Sequence, residues 1–245
     1  FDSIQYRTDP PIDLHYLHPL QLLALAHSQK PSLELVNPLP VLFARNEKLE
    51  PLMLPPQFAP ETLVSAEPQR LLRFLKTARS VVLKPLYEAQ SKGIEKLLWD
   101  THTTKPDIKQ LSDKFRSLTQ NGNQPILLQK YLKKIESGEV RLWFLDGELL
   151  AFARKLPLEG DFRVNLDRGS QVVPTDLDRP TQAAAKALSQ RLKELQIRLA
   201  AIDVIGGKVT DFNFTSPGLI VTMEKVLGKD LATPIVTALA RRSPF

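Results

Sequence analysis

Cysteine is absent from the 245-residue chain, which excludes disulfides and thiolate metal or redox sites and suits a cytoplasmic protein. No apolar run approaches the roughly 18–20 residues that a membrane-spanning helix requires, and no signal peptide is visible, so no membrane partner is expected. The net charge of +6 comes without any long Lys/Arg block. Basic and acidic residues are interspersed, and the pattern suits a small polyanionic ligand as well as nucleic acid. His15, His18, His27 and His102 are too scattered for a metal cluster, and no Ser-His-Asp or zinc-type spacing occurs. Internal repeats and low-complexity runs are also missing. The first residue is Phe rather than Met, as expected of a fragment or a processed form.

What is present is an ordinary globular composition, 42% hydrophobic and 24% charged, in a chain long enough for two small lobes. Twenty prolines predict many short elements. A β-like run over residues 3–6 leads into Arg7-Thr-Asp-Pro-Pro-Ile-Asp13, whose double proline forces an extended exit. The spacing of Leu20, Leu22, Leu23 and Leu25 predicts a helix over 16–26. A short strand over 33–36 and a second helix from Val41, carrying Asn46-Glu47-Lys48, follow. Leu54-Pro-Pro-Gln-Phe-Ala-Pro60 breaks that helix. Strands are then expected over 61–65 and 80–86 with a helix over 67–78 between them. Lys84 lies in the second of these strands among apolar neighbours, and its burial is costly unless an anion is near. A helix over 104–118, a strand over 126–132 and a hairpin turning at Asp146-Gly147 come next. The helix over 178–197 has Asp178 at its N-cap and Pro180 in its first turn. Two terminal helices are expected over 218–226 and 231–241.

The most informative stretch runs from Ala201 to Pro217. Two β-rich runs flank Gly206-Gly207 and read as a hairpin. A two-residue loop would set Asp203 opposite Thr210 and split the acids between faces. A three-residue loop (Gly206, Gly207, Lys208) sets Asp203 opposite Asp211 and Ala201 opposite Asn213. The second arrangement is expected, because it leaves Ile202, Val204, Thr210, Phe212 and Phe214 together for a core. It also gathers Asp203, Asp211 and Asn213, oxygen ligands of the kind Mg²⁺ prefers. A plain sheet face meeting solvent has the same spacing, and spacing alone leaves both readings open.

Asp203…Asp211-x-Asn213-x-Thr215-Ser216-Pro217 resembles the metal-binding end of the bacterial glutathione synthetases, which belong to the ATP-grasp ligases and usually carry Glu where this chain has Asp211. The resemblance continues in order from Arg7 to about Glu224. It implies an α+β ATP-grasp fold, two lobes with antiparallel sheets clasping a nucleotide. Residues 1–55 would be a remnant of an N-terminal and central domain, 56–132 the small lobe, and 133–245 the large lobe with the metal site. Lys48 and Lys84 would meet the nucleotide phosphates, and Gln129, Lys130, Tyr131 and Leu132 the adenine edge. Glu139 replaces the Asp of a Gly-Asp-x-Arg motif beside the nucleotide. Arg141, Arg163 and Asn165 would face the transferred phosphoryl group, and Asp203, Asp211 and Asn213 would hold the metal. The implied cofactors are ATP and Mg²⁺ or Mn²⁺. The implied reaction is carboxylate–amine ligation through an acylphosphate, with a γ-glutamyl dipeptide and glycine as substrates. A cytoplasmic enzyme, compatible with a homo-oligomer and without nucleic acid, follows.

Two segments depart from the family. After Lys84 the usual Asp-Gly-x-Gly-Gly loop is replaced by Tyr87-Glu-Ala-Gln-Ser-Lys-Gly93, which keeps one glycine and adds the charge of Glu88. After Leu166 the glycine-rich acceptor loop becomes Asp167-Arg-Gly-Ser-Gln-Val-Val173, keeping Gly169 with Arg168 nearby. Two alternatives therefore stand beside the synthetase: an ATP-grasp ligase for another amino acid or peptide, and a nucleotide-binding pseudoenzyme or regulatory module. Glycines let backbone N–H groups approach phosphate oxygens. Restoring glycine at Glu88, Gln90 and Ser91 is accordingly expected to raise the rate of ATP turnover. An unchanged rate in the triple variant would clear the loop of limiting it.

Overall fold

The computed structural model describes residues 2–88, 92–99, 107–164, 166 and 169–245. The chain divides into two compact units, one formed by Phe1–Ala59 with Lys134–Phe245 and the other by Pro60–Lys133.

At the start of the larger unit, β1 (Ser3–Gln5) pairs in parallel with β2 (Glu34–Val36) across the crossover helix α1 (Leu14–Gln29). Asp13 caps α1 by accepting a hydrogen bond from the Tyr16 N–H at 3.1 Å. Tyr16 and Leu20 are buried, whereas Leu22 and Leu25 of the expected stripe are exposed. The next helix, α2 (Leu39–Ala44), is shorter than the sequence implies. Asn46-Glu47-Lys48 lies beyond it in a turn, where Asn46 Oδ1 accepts from the Lys48 N–H at 2.9 Å. That side chain offers the backbone a local partner in place of the helical one, which is why the helix does not continue.

The smaller unit contains β3 (Thr62–Ser65), α3 (Pro68–Ala78), β4 (Ser80–Pro85), β5 (Glu95–Leu98), α4 (Ile108–Leu118) and β6 (Ile126–Lys130). Its four strands form an antiparallel sheet in the order β3-β6-β4-β5. Leu71 and Leu75 of α3 and Phe115 of α4 pack on Val81, Leu83 and Leu128 to make its core. Asp107 caps α4; residues 104–106 of the longer helix expected there lie outside the described residues, as do 89–91 of the loop after Lys84.

The rest of the larger unit is β7 (Glu139–Leu145), β8 (Glu148–Leu156), β9 (Gln171–Val173), α5 (Arg179–Glu194), β10 (Leu199–Ile205), β11 (Lys208–Asn213), α6 (Ile220–Leu227) and α7 (Ala232–Leu239). The strands form a five-stranded antiparallel sheet in the order β11-β10-β7-β8-β9. One face carries Leu142, Ile202, Val204, Phe212 and Phe214 against Leu188 and Leu192 of α5 and Leu20 of α1. The other carries Trp143, Ala153 and Ala201 against Met223 of α6 and Ile235 and Leu239 of α7. With both faces covered, a charged side chain on an inner strand must find its partners within the sheet. Among the described residues no helix is long and apolar enough to cross a membrane.

The β10–β11 hairpin corrects one detail and keeps the outcome. Ile205 pairs with Lys208, so the loop holds two residues rather than three. Gly206 and Gly207 have φ of 55° and 84°, the left-handed pair that such a hairpin turn requires. The odd residue sits further along. The register shifts after Val204↔Val209, and Asp203 pairs with Asp211, so Thr210 is a β-bulge. Its hydroxyl donates to the Asp203 carbonyl at 3.2 Å. The bulge restores the register that the shorter loop would have lost, and Ala201 faces Asn213 as expected.

Helix α5, which backs this hairpin, starts where Asp178 Oδ1 accepts from the Thr181 N–H at 2.9 Å. The Thr181 hydroxyl and N–H lower the Asp178 pKa. Asp178→Ala is expected to cost about 1 kcal/mol of stability at neutral pH. Because the folded pKa is depressed, this contribution is present above the usual carboxylate value and lost as pH falls through the lower one. Urea titrations of both proteins at pH 7 and pH 3 would check this, and a difference that stays constant with pH would refute it.

Candidate active site

The polar groups of the large sheet gather on the face opposite the α5 layer. Asp203, in β10, lies directly across from Arg141 in β7 and from Asp211 in β11. Arg141 grips it with two parallel hydrogen bonds, Nε to Oδ1 at 2.9 Å and Nη2 to Oδ2 at 2.7 Å. Lys155 Nζ is 2.9 Å from Asp203 Oδ1 and 2.6 Å from Glu139 Oε1. Glu139 and Lys155 are themselves cross-strand partners. All four side chains are nearly out of solvent, Lys155 at 4% and Asp203 at 7% exposure. Burial works to raise the Asp203 pKa, but Arg141 and then Lys155 outweigh it and hold the carboxyl well below the usual range. Glu139 goes the other way: burial and the charge of Asp203 push it up against the pull of Lys155 and Arg141.

Asp211 and Asn213 stand beside this quartet. The Asp211 Oδ1 accepts from the Phe212 N–H at 3.2 Å, and among the described residues no ion pair reaches its carboxylate. Asn213 Nδ2 donates to the Ala201 carbonyl at 3.0 Å, which leaves Oδ1 as its ligating atom. Among the described residues no three His, Cys, Asp or Glu side chains converge on a metal position. Arg141 and Lys155 engage both Asp203 oxygens, which the sequence had offered as metal ligands, so a cation here would take the Asp211 carboxylate and the Asn213 amide oxygen, with Asp203 beside them. The donor set is all oxygen, and no ion pair among the described residues ties up Asp211 as Arg141 and Lys155 tie up Asp203, so the residues fit a hard divalent cation. Just past Asn213, Glu47 Oε1 accepts from the N–H groups of Phe214 and Thr215 at 2.8 and 2.9 Å. Burial, and then the Asp211 charge, push Glu47 up to about 7 against the pull of those N–H groups and of Lys48.

Residues 47–228 match the family model described as prokaryotic glutathione synthetase, ATP-grasp domain. The chain belongs to the prokaryotic glutathione synthetase family of ATP-grasp ligases. It is an ATP-dependent carboxylate–amine ligase, and ATP with a divalent metal is the family's cofactor set. Glutathione synthetases from Parasynechococcus marenigrum and Neisseria meningitidis serogroup A are 32% and 33% identical to it, over 98% and 99% of this chain and 75% and 74% of theirs. The fold is shared with D-cycloserine synthetase DcsG, with a TM-score of 0.69 at 22% identity, covering 98% of this chain and 83% of that one. It is also shared with the ATP-grasp ligase PsnB bound to a minimal precursor, with a TM-score of 0.65 at 20% identity, over 92% of this chain and 70% of the other.

In this ATP-grasp ligase the sequence-selected residues fall into two groups. Glu139, Arg141, Asp203, Asp211 and Asn213 share one sheet face of the larger unit, to which Lys48, buried in its turn, also belongs. Lys84 and residues 129–132 belong to the smaller unit. There Lys84 and Gln129 are buried in adjacent strands, the Lys130 N–H donates to Glu61 O at 2.8 Å, and the Tyr131 N–H to Ser80 O at 2.9 Å. Lys96 Nζ sits 3.6 Å from the centre of the Tyr131 ring, and Leu132 is half-buried. Arg163 is held by Asp161, its Nη2 at 2.9 Å from Oδ2, rather than by the quartet. Asn165 lies outside the described residues.

Sequence reasoning missed Lys155 and Glu47. The alternation Ala151, Ala153, Lys155 along β8 puts the lysine on the buried side, a signal that could have marked it. Glu47 was obscured by the helix expected around it. A prediction follows for Lys155. Lys155→Met leaves Glu139 and Asp203 close together with one cation lost, and breaking such a buried pair costs about 3 kcal/mol or more. The double variant Lys155→Met/Glu139→Gln should recover part of that loss. Chemical denaturation tests both; a single-variant loss within about 0.5 kcal/mol, the range of ordinary surface substitutions, would mean the bridge is idle.

Proposed function

We propose that this ligase joins a γ-glutamyl dipeptide to glycine with Mg-ATP, as its glutathione synthetase relatives are named for doing. The observation that carries the reading is the oxygen-rich face of Asp203, Asp211 and Asn213, backed by the buried Arg141 and Lys155. Asp211 and Asn213 would hold Mg²⁺, or Mn²⁺ in its place, with Asp203 beside them. Bound there, the cation would offset phosphate charge. Lys48 supplies phosphate-binding charge in the larger unit and Lys84 in the smaller, where residues 129–132 meet the adenine.

An oxygen of the dipeptide carboxylate attacks the γ-phosphorus while the bond to the β,γ-bridging oxygen breaks, giving an acylphosphate and ADP. The glycine nitrogen then attacks the acyl carbon, phosphate departs, and the nitrogen loses its proton to give the amide. Arg141 cannot swing freely, because Asp203 fixes its guanidinium at two points. Its charge is therefore already aimed when the phosphoryl group bears its greatest charge, which is the condition for electrostatic preorganisation. Arg163 and Asn165 complete the phosphoryl contacts. The absence of cysteine supports a cytoplasmic setting for this chemistry. The segment after Leu166, which keeps Gly169 and little else of the family's acceptor loop, favours a second reading in which another amino acid replaces glycine. ADP release measured with a γ-glutamyl dipeptide and a panel of amines separates the two readings; no release with any amine would refute both.

Mg-ATP at about 100 times its dissociation constant should stabilise the wild type by about 2.7 kcal/mol. Asp211→Asn keeps the shape and removes one ligand charge, so this gain should shrink while metal-free stability stays within about 0.5 kcal/mol. Thermal melts with and without Mg-ATP read both quantities. Equal ligand-induced shifts in the two proteins would remove Asp211 from the site.

A further inference from the structure

Strand β11 ends at Asn213, and the chain beyond it is held by side chains from the first fifty residues rather than by a neighbouring strand. Glu47 takes the N–H groups of Phe214 and Thr215 on one carboxylate oxygen. Asn37 stands in for the missing ladder: its Nδ2 donates to Leu199 O at 2.8 Å and Phe214 O at 2.6 Å. Its Oδ1 accepts from the N–H groups of Arg198 and Leu199 at 2.8 and 3.0 Å. With 2% exposure, Asn37 thus has both amide hydrogens and both lone pairs of its oxygen in use. The Tyr16 hydroxyl lies 3.3 Å from Thr215 Oγ1.

We infer that Glu47 is a positioning residue for the metal site, acting with Asn37 to fix the backbone that follows Asn213 and so to aim the Asn213 amide oxygen. This rests on the reading of Asn213 as a metal ligand. A strand end released from its ladder frays, and a ligand on its last residue would share that motion. Glu47 removes the motion by bonding the first two free N–H groups after the strand, and Asn37 by bonding the intervening carbonyl. The task is hydrogen-bond acceptance at a fixed reach, which is separable from negative charge. Glu47→Gln keeps an acceptor oxygen at the same distance without the charge, whereas Glu47→Asp keeps the charge on a side chain one methylene too short.

The test is Mn²⁺ binding, followed by its paramagnetic signal, at saturating non-hydrolysable ATP analogue, together with binding of the analogue alone in EDTA. Folding of each variant is checked by its thermal transition. Loss of a partner that orients a metal ligand lowers metal affinity about 10- to 100-fold. Glu47→Asp should therefore weaken Mn²⁺ by at least about 10-fold while metal-free binding of the analogue changes by less than about 2-fold. Glu47→Gln should stay close to the wild type in both. A folded Glu47→Gln that loses Mn²⁺ binding would overturn the inference, since charge would then be the role. Equal losses with and without metal in Glu47→Asp would also overturn it, by showing general loosening. Should Glu47→Asp not fold, the Gln result alone decides. A wild type that binds the analogue but no Mn²⁺ would instead sink the metal assignment under the proposed function.

Discussion

A carboxylate on an inner strand of a covered sheet is costly unless charge of the opposite sign is built in beside it. Asp203 is such a group, and much of the larger unit is arranged around its neutralisation. The strand order places β7 next to β10, so Arg141 can meet Asp203 across the ladder. The β7–β8 pairing sets Lys155 opposite Glu139, near enough to bridge both acids. The two acids and two bases of the quartet compensate one another. Asp211 makes no ion pair among the described residues, although its charge is felt by Arg141.

The N-terminal residues acquire a purpose in this arrangement. They form one compact unit with the C-terminal sheet. Arg7 Nη2 donates to Pro217 O at 2.8 Å, and Glu50 pairs with Arg191 of α5 at 3.1 Å. Contacts of this kind, more than two hundred residues apart in the first case, join the beginning of the chain to α5 and to the segment that follows β11.

Much of this was legible in the sequence, for local reasons. Asp178 is a cap whose side chain serves the N–H group three residues on, and Asp146-Gly147 is a turn whose residues tolerate positive φ. The pairing of Asp203 with Asp211 was legible because only that register puts Phe212 and Phe214 on the same face as Ile202 and Val204. What sequence could not supply depended on distant partners. The exposure of Leu22 and Leu25 reflects which side of α1 the sheet occupies, and spacing alone cannot choose it. The end of α2 turned on a single Asn46 side-chain bond. Lys155 and Glu47 have meaning only beside Asp203 and Phe214, which are far away along the chain. The loop of the β10–β11 hairpin was misjudged because a bulge and a longer turn give the same pairing.

That equivalence bears on how the hairpin can change over time. A two-residue turn with a bulge and a three-residue turn without one both present Asp211 and Asn213 on the side of Asp203. Either change alone reverses the parity of β11 and sends both donors into the α5 core. Thr210 and the Gly206-Gly207 turn therefore form a parity pair, in which an insertion at one place is tolerated only with a deletion at the other. Length variation in this hairpin should be compensated within a few residues, and an alignment that places one uncompensated gap there would be aligning a hairpin that no longer sets Asp211 and Asn213 beside Asp203.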